Sequence, residues 1–119
     1  MIHLPSQALI GVIHLPPLPG SPQHQFPMED ILERALTDAH ALKHAGFDGA
    51  IIENYGDAPF MPESVPRVTV SCMSVIADAV RNTTGLRIGI NVLRNDAESA
   101  LAVAVASAIA ITRGVAVPS

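Results

Sequence analysis

Several polar residues stand where short apolar runs end: His14, Glu53, Asn54, Asn91, Arg94, Asn95, Asp96, Thr112 and Arg113. His14 closes the run from Ala8 and suits a general acid or base, a metal ligand, or a hydrogen-bonded strand end. Glu53 follows Ala50-Ile51-Ile52. A carboxylate there can bind a cation, act as a base, or pair with Arg94 or Arg113. Asn91 alternates with Ile90 and Val92, so it shares a face with Gly89. Its amide suits a carbonyl, hydroxyl or phosphate oxygen, or a polar layer inside a barrel. Arg94 and Arg113 suit bidentate binding of an anion, or ion pairs with Glu53 or Asp57. The working assignment makes His14 and Glu53 catalytic, and Asn91, Arg94 and Arg113 substrate-binding.

Other residues with chemical potential have plainer explanations. Asp96 reads first as a helix cap. Asp57 sits in a Gly-Asp turn, though loop carboxylates also bind metal. His40 and His44 share a helix face, but lie opposite the apolar stripe and lack a His-Glu-x-x-His frame. Cys72 falls on an apolar helix face and reads as an inert core thiol. No metal site is assigned, and no cofactor follows from these residues.

The elements that must position the candidates are legible from periodicity. Ala8–His14 reads as a strand stopped by Pro16 and Pro17. A helix is predicted over Met28–Ala45, with Ile31, Ala35, Leu36, Ala39 and Leu42 at helical spacing. Pro27 suits its first position, Glu29 and Asp30 its positive end, and Gly46 its C-terminal cap. Gly49–Asn54 reads as a second strand, and Tyr55–Val65 as a loop. A second helix is predicted over Pro66–Asn82, capped by Ser64 and ended by Gly85. Its apolar face carries Val68, Cys72, Met73, Ile76 and Val80. Leu86–Leu93 reads as a third strand, Ala97–Ser107 as a third helix capped by Asp96 or Asn95, and Ile109–Val117 as a fourth strand.

Strand–helix alternation implies parallel strands with helical crossovers. The predicted fold is α/β, parallel (βα)n, with about four strands and three helices. That is the N-terminal half of a TIM-barrel-like fold, whose usual size is about 250 residues. In such barrels function collects at the strand ends, where all these polar residues fall. The segment Pro16–Pro27 reads as a lid over that end, or as a polyproline segment for a partner. Gly-x-Gly-x-x-Gly and Walker A loops are absent, which counts against dinucleotide and nucleotide sites.

Composition narrows the classes further. The chain has 119 residues, 11 acids against 7 bases, and a net charge of −4. Without clustered Lys and Arg, nucleic-acid binding is excluded. Aromatic residues are 3% with no Trp, so a base-stacking platform is also unsupported. A single cysteine fits a reducing compartment, and no apolar run has transmembrane length. A cytoplasmic location is expected. Charged residues are only 15% of the chain. So low a share predicts surface covered by something else, through self-association at open sheet edges or through further chain.

Three segments carry an uncommon combination: HLPPLPGSP at His14–Pro22, ENYGDAPF at Glu53–Phe60 and GINVLRNDA at Gly89–Ala97. With Ala35–Leu42 and the FDG at Phe47–Gly49, they resemble the BtpA family, which includes SgcQ-type proteins. The resemblance implies a TIM-barrel-like fold related to ribulose-phosphate-binding barrels, about twice this length. It also implies a role in photosystem I biogenesis in phototrophs, with peripheral association with thylakoid or other photosynthetic membranes. Many members belong to non-phototrophs, where that role has no object. No catalytic residues carry over from the family. Its fourth strand resembles IRVN, whereas this chain reads Ile111-Thr112-Arg113-Gly114-Val115. A truncated form, a single incomplete domain over residues 1–119, is therefore expected. The alternative function is a small-molecule enzyme, such as an aldolase or isomerase, acting on a small anionic, phosphorylated sugar-like substrate.

Overall fold

A computed structural model describes residues 6–58, 64–93 and 96–107. The architecture is α/β, with β1 Ile10–His14, α1 Met28–His44, β2 Gly49–Glu53, α2 Arg67–Thr84, β3 Arg87–Asn91 and α3 Ala97–Ala106. A short 3-10 turn, Tyr55–Asp57, follows β2. The strands form one open parallel sheet in the order β1-β2-β3. Each strand-to-strand step passes through a helix, as the alternation predicts. The predicted fourth strand lies outside the described residues.

Register organises the sheet in rows. Ile13, Ile52 and Ile90 are mutual partners across the three strands. All three are buried in the core that the helices cover. Ile31, Ala35 and Ala39 of α1, Met73, Ile76 and Val80 of α2, and Val103 of α3 are among the residues that join them there. Each fully buried branched side chain contributes about 1.5–3 kcal/mol relative to exposure. The next row, His14, Glu53 and Asn91, has opposite parity. On that side of β1, Ile10 and Val12 are exposed. The period-2 pattern thus sends Ile13, Ile52 and Ile90 to the helices and the polar strand ends, with Ile10 and Val12, to the other face.

Helix ends follow local chemistry with two departures. Glu29 and Asp30 lie in the first turn of α1, and Lys43 and His44 in its last. Pro27 stands at the N-cap rather than inside the helix, its carbonyl accepting from the Asp30 and Ile31 amides. Ser64 does not cap α2. The helix begins after Pro66, with no side-chain cap. The neighbouring Val65 amide donates instead to Asp96 Oδ2 at 2.8 Å, which ties the α2 entry to the α3 entry. The buried stripe of α2 is also rotated from the predicted one. Thr69 and Ala77 are buried, Val68 is exposed and Cys72 is half-buried on the core rim.

Gly46 follows α1 with φ +90, and Gly85 follows α2 with φ +71. A Cβ added at Gly46 would meet open space, so only the backbone conformation there disfavours a side chain. Gly46→Val should therefore cost about 1–2 kcal/mol for the left-handed backbone. Ala45→Val, at φ −76, should cost less. Paired urea melts check this, and equal midpoints would refute the cap assignment.

Candidate functional site

The C-terminal ends of β1, β2 and β3 bring three of the five assigned residues side by side. His14 Nε2 lies 3.4 Å from Glu53 Oε1. Asn91 Nδ2 donates to Glu53 Oε2 at 2.6 Å. Glu53 is the central member, gripped by an imidazole on one side and an amide on the other. Its side chain is 15% exposed, against 54% for His14. Asn91 is buried, and its Oδ1 has no partner among the described residues. Arg94 and Arg113 lie outside the described residues, as do Asn95 and Thr112.

One site residue has no counterpart among the sequence-based candidates. The Tyr55 ring stacks on His14 with centroids 4.5 Å apart and planes 16° from parallel. Tyr55 itself is exposed. Its place immediately after the β2 end is the available signal, but a lone aromatic in a Gly-containing loop carries no periodicity.

Beneath this row lies a buried polar network. Asn54 Oδ1 accepts from the Leu93 amide at 2.7 Å, and its Nδ2 donates to Leu93 O and Asp57 Oδ2, each at 3.3 Å. Asp57 Oδ1 accepts from the Leu18 amide at 2.8 Å. Burial raises the Asp57 carboxyl above its ordinary range, outweighing the Leu18 and Asn54 hydrogen bonds and the more distant His24. Asp57 therefore serves the fold inside its turn. The prolines from Pro16 onward are not a free lid at their start: Leu15 and Leu18 are buried, and the Gly56 amide donates to Leu15 O at 3.0 Å.

Asp96 caps α3 as predicted, accepting from the Ser99 amide at 3.0 Å and Ser99 Oγ at 2.7 Å. Burial opposes its ionisation, yet the bonds from Ser99 and Val65 hold its carboxyl below the ordinary range. His40 and His44 are exposed. Among the described residues, no group of three or more His, Cys, Asp or Glu is placed to hold a metal ion. His14 also lines a cleft of about 560 Å³ at the edge of β1, together with Phe26, Asp30, Arg34 and Asp38 of the α1 side. Arg34 lies over the Phe26 ring at 4.2 Å.

Glu53 so held can accept a proton from a ligand or from His14, while Asn91 fixes the carboxylate plane. Fold and site define a parallel α/β protein that gathers its polar residues at the C-terminal ends of its strands, the face on which barrel proteins handle ligands.

The chain belongs to the BtpA family, whose family model matches residues 5–116. It is 48% identical to an uncharacterised protein of Pyrococcus horikoshii over 83% of this chain and 38% of that one. A second uncharacterised protein, from Archaeoglobus fulgidus, is 49% identical over 82% of this chain and 39% of its own. The photosystem I biogenesis protein BtpA of Synechocystis is 48% identical over 81% of this chain and 33% of that protein. The matched part of the chain thus covers well under half the length of these curated relatives. No solved structure matches it. No helix among the described residues is long and apolar enough to cross a membrane.

Proposed function

We propose that this chain supplies the N-terminal half of a BtpA-type (βα)8 barrel, one incomplete domain, and that the row His14–Glu53–Asn91 is its ligand-contacting edge. The observation that carries this reading is the Glu53 carboxylate, held between His14 and Asn91 at the strand ends. In it, Arg94 and Arg113 supply positive charge for a small anionic ligand, and Asn91 a neutral donor. In a phototroph, the whole protein acts in photosystem I biogenesis, a reading supported by the name of the Synechocystis relative. Its location is then the cytoplasm or the periphery of the photosynthetic membrane.

Two measurements test the two levels separately. A chimera carrying this segment in place of the matching part of the Synechocystis protein should restore photosystem I content in a strain lacking that protein. A chimera that folds but restores nothing refutes the biogenesis role. Calorimetric titration of the same chimera with ribose 5-phosphate should show binding that Glu53→Gln and Asn91→Ala each weaken about tenfold, or ~1.4 kcal/mol. Unchanged binding in both variants would make the row structural.

The 3.4 Å approach of His14 to Glu53 favours a second reading, acid–base turnover of such a ligand by an aldolase or isomerase. There, Glu53→Gln should abolish the pH-dependent rate while leaving more than half of the binding affinity.

A further inference from the structure

We propose that Asn54 and Asp57 are positioning residues that lock the segments following β1 and β2 into one unit and thereby hold Tyr55 against His14. This rests on the reading above only in making His14 and Tyr55 part of a ligand-contacting edge.

Tyr55 is 58% exposed, yet its ring lies nearly parallel to the His14 ring. Burial does not fix a residue so exposed, so its backbone must. That backbone is pinned on both sides. Asn54, immediately before it, is fully buried and bonded to both backbone groups of Leu93, beyond β3. Asp57, two residues after it, takes the Leu18 amide from the segment beyond β1. Asn54 and Asp57 are also bonded to each other, through the Nδ2–Oδ2 contact and the Asp57 amide to Asn54 O at 3.1 Å. Between them Gly56 donates to Leu15 O, and Leu15 in turn donates to Glu53 O at 2.9 Å. The ends of all three strands therefore meet on one amide–carboxylate pair, and Tyr55 rides on the turn that this pair closes. A buried network of this kind, with each polar atom satisfied, specifies one arrangement.

The chemistry of the pair supplies its own test. Asn54→Asp replaces the Nδ2 donor by an oxygen facing both the Asp57 carboxylate and Leu93 O, so the latch opens. Exchanging the two residues, Asn54→Asp with Asp57→Asn, lets the new amide at position 57 donate to the new carboxylate at 54. The oxygen at 57 still accepts from Leu18, while the oxygen at 54 still faces Leu93 O, so recovery is partial. The chain has one Tyr and no Trp, so its ultraviolet emission reports on Tyr55 alone. His14 is read by NMR of its ring protons, with exposed His40 and His44 as internal references.

In the full 119-residue chain, Asn54→Asp should remove at least half of the ring-current shift of His14. It should also move Tyr55 emission at least halfway to that of His14→Ala at the same pH. The exchange variant should recover more than half of both. Asp57→Asn alone, which keeps the Leu18 bond, should give an intermediate loss, and it decides the matter if Asn54→Asp does not fold. A stack signature unchanged in the single variants, or not recovered in the exchange variant, overturns the proposal. No ligand enters these readouts. Failure of the ligand reading, seen in the titration with ribose 5-phosphate, is thus distinguishable from failure of the latch.

Discussion

Gly56→Ala should destabilise the chain by about 3 kcal/mol, at the upper end of the usual range for overpacking. A Cβ at Gly56 would lie 2.6 Å from Pro17 N, 2.7 Å from Leu15 O and 2.7 Å from Pro16 C. All three are backbone atoms, so no rotamer change relieves the clash. Two of them belong to consecutive prolines, whose rings fix φ and leave the segment little room to retreat. Moving the turn instead would break the Gly56 amide bond to Leu15 O and draw Asp57 away from Leu18. A urea melt should show a much lower midpoint with unchanged slope. A variant within about 0.5 kcal/mol of the parent, the range of ordinary surface substitutions, would mean that the two segments do not touch.

Asp57→Leu should cost about 2–4 kcal/mol, because it leaves the buried Leu18 amide without an acceptor and removes one partner of Asn54 Nδ2. The pH dependence of the parent supplies a second check. The folded chain holds the Asp57 proton more tightly than the unfolded chain does, because burial raises that carboxyl. Its contribution to stability is therefore greatest when it is protonated, below the unfolded value. It declines as pH rises from that value through the raised folded one. Asp96 has the opposite sign. Its lowered carboxyl adds stability above the unfolded value, which is lost as pH falls through the folded one. Asp57→Asn should remove the first slope and keep the second. Its stability relative to the parent should thus rise as pH climbs from the acid side of the carboxylate range to neutrality. Parallel profiles for the two proteins would refute the assignment of that slope to Asp57.

The helices and strands are legible in the sequence because their signals are local. Ile31, Ala35 and Ala39 repeat at helical spacing, and the same three residues are buried along α1. Asp96 is legible as a cap because a cap acts on an amide three residues away, here that of Ser99. Ser64 misleads for the reverse reason. The acceptor near the α2 entry is supplied by Asp96, 31 residues on from Val65, and no local pattern announces it. Val68 misleads because α2 packs between α1 and α3. The positions of its neighbours, rather than its own apolar stripe, decide which of its residues are covered.

At the strand ends the division is sharpest. Alternation within each strand determines that His14 goes with Val12 and Asn91 with Gly89, since successive side chains must point to opposite faces. Parallel order follows from the strand–helix alternation. Neither fixes how far one strand is slid along the next. The row His14–Glu53–Asn91 exists because tertiary packing sets that register, and a slip of one residue would send Glu53 to the helices. The sequence also marks the segments after β1 and β2 as distinctive without saying why. Their partners lie 39 residues apart in the chain: Leu18 with Asp57, and Asn54 with Leu93. Contacts at that separation leave no periodicity within either segment, so the stack of Tyr55 on His14 and the latch beneath it belong to the tertiary structure alone.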